Sequence, residues 1–526
     1  MPLNRRRFLQ SSAALALPAL GSPAAFGQAP AIVTSDRMRP VLASGVQSGD
    51  VTAGRGLVWS RSDRPARMLV EWSTTSSFSN VQRVRGPYAM EDTDYTARLD
   101  LTGLPAGQDI FYRVTFEDLA SGAKSEPAAG HFRTAPSVRR DIRLVWSGDT
   151  VGQGWGIDEA RGGMKCYETM RAQNPDFFIH CGDTIYADGI LKPEVKLADG
   201  TIWKNLTTEE KSKVAETLNE FRGHHRYNMM DANVRRFNSE VSQIWQWDDH
   251  EVTNNYSDAK DLSKNDLYKE KNIALLAARG QRAFMEYAPI RRHGADEEGR
   301  IYRHIPYGPL LDVFVIDMRS YRGPNTHNRQ TEINAESVYL GAAQVEWLTR
   351  SLKQSKALWK VIASDMPIGL EVGDGKDAQG RDMFEAVANG DGPALGRELE
   401  IAKVLSFIKK NRIRNTVWLT ADTHYTAAHY YNPVRAKFAD FDPFWEFMSG
   451  PVHAGTFGPN KPDNTFGIEV KYIKAPAAGQ VNLPPSDNMQ FFGEASIDAK
   501  TGGFRVWLKD WNNSTLWSTE LMPQRA

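Results

Sequence analysis

FFIHCGDTIYADG, residues 177–189, contains the feature from which the rest of the chain can be read. Phe177 to Cys181 is an apolar run of the length of one buried strand. It stops at Gly182-Asp183, and Tyr186 and Asp188 follow within five positions. Similar strings recur: LVWSGDT at 144–150, IWQWDDHE at 244–251 and TVWLTADTH at 416–424. Four times a strand-like run ends at Asp or at Asp with His. A fifth run, WKVIASDMP at 359–367, ends at Asp365. Between these runs lie helical stretches such as MKCYETMRAQN, GAAQVEWLTRSLKQS and RELEIAKVLSFIKKN. Strands alternating with helices predict an α/β unit with a mostly parallel core. In such sheets, ligands sit beyond the carboxyl ends of the strands, where each Asp falls.

The texture differs on either side of this region. From about Pro40 to Ala135 the sequence runs in short alternating segments, GLVWSRS, ARMLVEWS, TARLDLTGL, DIFYRVTFED and AGHFRTA, separated by turn residues. That pattern predicts an all-β sandwich, and LDLTGLPAGQDIFYRV resembles a fibronectin type III strand–corner–strand. At the far end, FFGEASID, GFRVWLKDW and STLWSTELM return to hairpins. The expected division is a leader over 1–27, a β-sandwich over 38–136 and a catalytic unit over 139–522. Lys plus Arg and Asp plus Glu both number 64 in the 526 residues, so net charge gives no reason to expect a nucleic-acid partner.

The first residues, MPLNRRRFLQSSAALALPALGSPAAFGQAP, form a basic n-region, a short apolar stretch and a small-residue cleavage zone ending at Gly27. Arg5 and Arg6 resemble the pair of a twin-arginine export signal. The resemblance implies the twin-arginine translocase as a transient partner and a periplasmic or secreted location. No later stretch is apolar for long enough to predict an integral membrane protein. Cys166 and Cys181 are the only cysteines and read as two buried thiols.

The strand-end carboxylates Asp149, Asp183, Asp249, Asp365 and Asp422, gathered at one edge with Tyr186, His250 and His424, cannot all stay ionised without a counter-charge. One or two bound cations would supply it. Oxygen-rich ligands with a few nitrogens suit Fe, Mn, Ca, Mg or Zn.

These residues carry a family resemblance. The order D…GDxxY…(G)NH-E-like…DxH looks like the calcineurin-like metallophosphoesterases, with WDDHE in the GNHE position so that the carboxylate of Asp249 replaces the family's Asn, and its tyrosine is similar to that of the purple acid phosphatases. GDTIYADG, WDDHE and TADTH, behind a β-sandwich and a twin-arginine signal, resemble the alkaline phosphatase D (PhoD-like) family. The fold this implies is an α/β (α+β sandwich) metallophosphoesterase core behind a fibronectin type III-like sandwich. By that resemblance Asp183 is the carboxylate bridging two metals, and Tyr186 is a phenolate on a ferric ion. Asp149 and His424 complete the first site; Asp249, rather than its neighbour Asp248, serves the second with Asp422 and Asp365. The cofactors implied are Fe3+ plus one or two divalent ions, Ca2+ foremost, with Mn2+, Mg2+ or Zn2+ as alternatives. Some members carry cysteine where Asp149 stands here, so this first site is all oxygen and nitrogen.

The activity implied is hydrolysis of a phosphate ester by metal-bound hydroxide attacking phosphorus. His250 would be the catalytic acid or would hold a phosphoryl oxygen, and Asn254 would also bind substrate. A phosphodiesterase or phospholipase D-like enzyme would use the same site; an adhesion protein on a degenerate scaffold would not need it. His224 and His225 read as surface or lid residues. Residues 190–235, 370–395 and 450–490 are expected to wall the site.

Overall fold

The computed structural model describes residues 36–524 apart from 293–296 and 298, so the leader expected over 1–27, with Arg5 and Arg6, lies outside the described residues. Two large sheets face each other. In the first, the strands Ile142–Ser147, Phe177–Cys181 and Ser242–Gln246 lie side by side and parallel, with Trp146 opposite Ile179 and Ile179 opposite Ile244. The C-terminal strands Phe491–Ile497, Phe504–Asp510 and Thr515–Leu521 extend it antiparallel on one side. In the second, Leu311–Val315, Trp359–Ala363, Thr416–Thr420 and Phe444–Met448 form a parallel centre within seven strands.

The two-residue side-chain period of the strands creates the layers. Leu144, Trp146, Phe177 and Ile179 point inward against Val313, Val361, Val417 and Leu419 of the second sheet. Their neighbours Val145 and Phe178 point outward and are covered by Met170 and Phe237 of the helices Lys165–Ala172 and Ala232–Glu240. On the other face, Phe314, Ile362 and Trp418 are covered by Leu348 and Leu405 of the helices Ala342–Gln354 and Glu398–Lys410. Each such side chain contributes about 1.5–3 kcal/mol by leaving water. Because the central strands of both sheets are buried on both faces, they read as near-continuous apolar runs.

The N-terminal segment forms a seven-strand sandwich. Four strands, Gln82–Ala89, Ala66–Ser73, Asp109–Asp118 and Ala128–Arg133, make one sheet. The other three, Val46–Gly49, Arg55–Arg61 and Thr96–Thr102, are not a separate sheet but continue the first large one, through Gly49 opposite Gln243. Asp50 and Arg303, both fully buried, pair across this junction at 2.8 Å. Trp59 donates to the carbonyl of Glu286 at 2.8 Å, tying the sandwich to the helix Ile273–Tyr287.

Among the described residues, no helix is long and apolar enough to cross a membrane. Cys166 and Cys181 are buried and unpaired. His224 and His225 correct the expectation of a surface or lid: both are buried. The capping box of Thr217 and Glu220 starts their helix, Leu218–Asn228. One ring then meets the Lys211 amine at 3.1 Å, and the other stacks on Tyr287.

Candidate metal centre

Asp149, Asp183, Asp248, Asp365 and Asp422 each sit two residues beyond the end of a parallel strand. The registers Ser147 opposite His180, Gln246 opposite Cys181 and Ala363 opposite Leu419 bring those ends to one edge. There the chain turns sharply. Asp149, Asp183, Asp422 and His424 all have φ between 52° and 69°. Left-handed backbone at a non-glycine residue costs on the order of 1–3 kcal/mol, and four such residues in one place are held by their surroundings. Gly182 shows how tight the packing is: at φ 92°, a Cβ would lie 2.5 Å from the Cβ of Asp248, so only glycine fits.

Among the described residues three sets of ligand atoms result, each within 4.8 Å of one another: Asp149, Asp183 and His424; Asp183, Asp249 and His250; Asp248, Asp249 and Asp422. Asp183 belongs to the first two and Asp249 to the last two, so the sets form a continuous chain. Asp149 is fully buried, and neither of its carboxylate oxygens has a hydrogen-bond partner. Its Oδ1 lies 3.6 Å from His424 Nε2. A buried carboxylate left so is costly unless a cation completes it.

His424 is set up to be that cation's neutral ligand. Its Nδ1–H donates to the carbonyl of Gly455, which can only accept, so Nε2 keeps its lone pair. Burial drives its pKa down to about 4. Tyr186 Oη donates to that Nε2 at 2.7 Å, and its ring lies 4.2 Å from the His250 ring. Burial, with the charges of Asp183 and Asp149, pushes the phenol well above its ordinary pKa. Burial also pushes Asp149 and Asp183 far up; His250 opposes this, while Asp249 adds to it. Asp422 is raised by burial and by Glu385. Carboxylates crowded this way either hold protons or hold a cation. The donor set suits hard or borderline metals.

His250 Nδ1 lies 2.6 Å from Asp188 Oδ1, whose Oδ2 accepts from the backbone of Asn254 at 2.8 Å. Burial alone would lower His250, but Asp188, Asp249 and Asp183 raise it well above its usual value. Glu251 accepts from the backbone of Thr184 at 2.6 Å and from that of Asp248 at 2.8 Å, clamping the two turns together.

Asp365 stands apart from the three sets. Its Oδ2 pairs with Arg319 Nε at 2.9 Å. Arg319 is fully buried, also pairs with Asp248 and Glu385, and lies 3.7 Å from Asp422. The guanidinium meets one oxygen of Asp365; the other, Oδ1, is buried and has no hydrogen-bond partner among the described residues, like both oxygens of Asp149. Asp248, the alternative to Asp249, lies in the third set; Asp249 lies in two. Asn254 is exposed at the mouth of a cavity of about 320 Å3 lined by Asp183, Asp249, His250, Asp422 and His424. Val372, Glu385, Phe457 and Asn460 also line it, from two of the three expected walls; none of the lining residues comes from 190–235, the stretch whose Lys211 donates to the carbonyl of Tyr186.

Sequence reasoning passed over Asp188, Arg319, Glu385 and Glu251 as site residues. Asp188 stood in the opening string, five positions after Asp183. Glu251 closes WDDHE. Arg319 follows the strand Leu311–Val315 and gave no signal beyond that position.

Comparison with known proteins gives a consistent likeness. The family model described as "PhoD-like phosphatase" matches residues 144–508, and "PhoD-like phosphatase, N-terminal domain" matches 27–136. Alkaline phosphatase D of Bacillus subtilis (strain 168) is 26% identical over 401 residues, covering 72% of this chain. The aligned part spans 64% of that relative's length. A solved structure of PhoD superposes with a TM-score of 0.67 at 18% identity, covering 93% of this chain and 90% of that one. Purple acid phosphatase PPD1 from yellow lupin (Lupinus luteus) seeds superposes with 0.54 at 12% identity, covering 92% and 74%. Both structures share the fold.

Proposed function

The chain belongs to the PhoD-like phosphatase family, and from that premise we propose that it is an exported, metal-dependent phosphoesterase. The observation that carries the proposal is Asp149, whose two buried, unpartnered oxygens lie beside a neutral His424 Nε2. Asp149, Asp183, Tyr186 and His424 would hold the first cation, and Asp183, Asp249 and Asp422 the second. We assign Fe3+ to the first position because a phenol must lose its proton to bind, and a ferric ion is acidic enough to take it. The carboxylates of the second suit Ca2+. When bound, the cations supply Lewis acidity toward the phosphoryl group and the attacking water.

The chain's own residues do the rest. His250, anchored through Nδ1 by Asp188, faces the cavity and donates a proton to the leaving alkoxide or a hydrogen bond to a phosphoryl oxygen. Asn254 at the mouth receives the ester. Val372 and Phe457 give the alcohol portion an apolar flank. Asp365 is removed from this machinery to a positioning role, in which it and Arg319 fix Asp248. Export rests on Arg5 and Arg6, and replacing both with Lys should retain precursor in the cytoplasm; continued export would overturn that part.

The test is Asp183→Asn. It should lose metal and nearly all phosphatase activity with the fold intact by circular dichroism. Full metal content with near-normal turnover would remove Asp183 from the centre. Assaying a phosphate monoester beside a diester sets the substrate class.

A further inference from the structure

Beyond the metal centre, at the opposite ends of the second sheet's strands, lies a cavity of about 600 Å3. Lys360, second residue of the strand Trp359–Ala363, is buried in its floor. Asp365 lies five residues further along, roughly 16 Å of extended chain, so the cavity is separate from the catalytic edge. Five segments of the chain converge on it. They bring Arg139, Lys353, Lys356, Arg412, Arg414 and Lys500 to its walls, and among the described residues no Asp or Glu lines it.

Cations near helix C-termini are ordinary, because they complement the helix dipole, and Lys353 and Arg412 fit that description. Arg139 and Lys500 come from segments outside those two helices, and Lys360 lies within a strand. Two carboxylates lie nearby: Asp312, whose charge acts on Lys360, and Asp498. Asp312 accepts from Ser355 at 2.6 Å and pairs with His304, while Asp498 accepts from the backbone of Lys500 and Thr501. Arg414 donates to the neutral Gln524, and Lys360 to the carbonyl of Ala357. A neighbouring cavity shows the contrast: its Arg140 is neutralised by Asp176 at 2.9 Å. An excess of positive charge in a concave, low-dielectric surface concentrates anions. Guanidinium groups beside ammonium groups suit phosphate oxygens.

We propose that this cavity binds an anion carrying several phosphate groups, at a site separate from the metal centre. The chemistry is shared by a soluble oligophosphate and by clustered anionic lipid headgroups.

Tripolyphosphate titrated into the full-length protein by calorimetry tests it, against the variant Lys356→Glu/Arg412→Glu/Lys500→Glu. Metal chelation and binding at the catalytic edge are common to both proteins, so their difference reports the cavity. The wild type should show an extra binding event that weakens about tenfold or more from 50 to 500 mM salt. The variant should lack it, with unchanged melting temperature and unchanged hydrolysis of p-nitrophenyl phosphate. Identical isotherms, or an extra event indifferent to salt, would overturn the proposal. If the triple variant does not fold, Lys356→Gln/Lys500→Gln should still weaken that event severalfold, and no weakening would overturn the proposal equally. Sedimentation with phosphatidylglycerol vesicles, beside phosphatidylcholine vesicles, separates the sources. Binding to the former that tripolyphosphate displaces assigns headgroups; tripolyphosphate binding without vesicle binding assigns a soluble oligophosphate.

Discussion

Asp188→Asn isolates what the carboxylate contributes to His250. The substitution keeps the side chain's shape, and the amide oxygen can still accept from the backbone of Asn254, as Asp188 Oδ2 does at 2.8 Å. What it removes is the charge facing His250 Nδ1 at 2.6 Å. A hydrogen bond to a charged group contributes about 1.5–3 kcal/mol. If that energy acts fully in the transition state, turnover falls roughly ten- to a hundredfold, at about 1.4 kcal/mol per tenfold. Because Asp188 belongs to none of the three ligand sets, metal content should not change. The assay is kcat and KM for a phosphate ester, with elemental analysis of the same preparation. The expected result is a lower kcat with nearly constant KM and full metal occupancy. Unchanged kcat would refute the anchoring role. Loss of metal in proportion to activity would mean that the Asp188–His250 pair supports a ligand rather than a proton donor.

Three further outcomes follow from the same geometry. Arg319→Met leaves Asp248, Asp365 and Glu385 buried without their cation, and should cost about 3–5 kcal/mol in urea unfolding; a loss under 1 kcal/mol would contradict the network. Glu398 is buried with Oε1 unpartnered, and burial, with Asp463 nearby, raises its pKa from 4.5 to about 9. The folded state therefore holds a proton that the unfolded state releases, so stability present below pH 4.5 is lost as pH rises toward 9, by up to about 1.4 kcal/mol per unit. Glu398→Gln should lose less stability than the wild type between pH 6 and pH 9, and equal losses would refute the assignment. The ferric phenolate proposed at Tyr186 should give the purified protein a visible charge-transfer band, and Tyr186→Phe, which keeps the ring against His250 but removes the phenol, should abolish it without unfolding; an unchanged band would move the phenolate to another tyrosine.

Much of this architecture was legible because buried strands advertise themselves. Runs such as DFFIHC and TVWLT carry no polar alternation when both faces are covered, and the Asp that follows marks where the strand meets solvent or ligand. The strand pattern alone therefore places Asp149, Asp183, Asp249, Asp422 and His424 at one edge. Partners from distant segments could not. Asp365 sits at a strand end like the others, and only the arrival of Arg319, from the segment after the neighbouring strand Leu311–Val315, shows which charge one of its oxygens meets. His224 and His225 lie in a polar-looking stretch, and their burial depends on Lys211 and Tyr287, 13 and 62 residues away respectively. The sandwich was readable as a unit, but its merger with the first large sheet rests on one register, Gly49 with Gln243, which no local pattern encodes.

The central claim is that the chain of carboxylates from Asp149 to Asp422 exists to hold cations. Elemental analysis of the purified, active protein tests it most directly. The expected content is about one iron per chain together with calcium or another divalent ion, since the orphaned oxygens of Asp149 and the shared positions of Asp183 and Asp249 call for more than one charge. A fully active protein free of iron and divalent metal would contradict it.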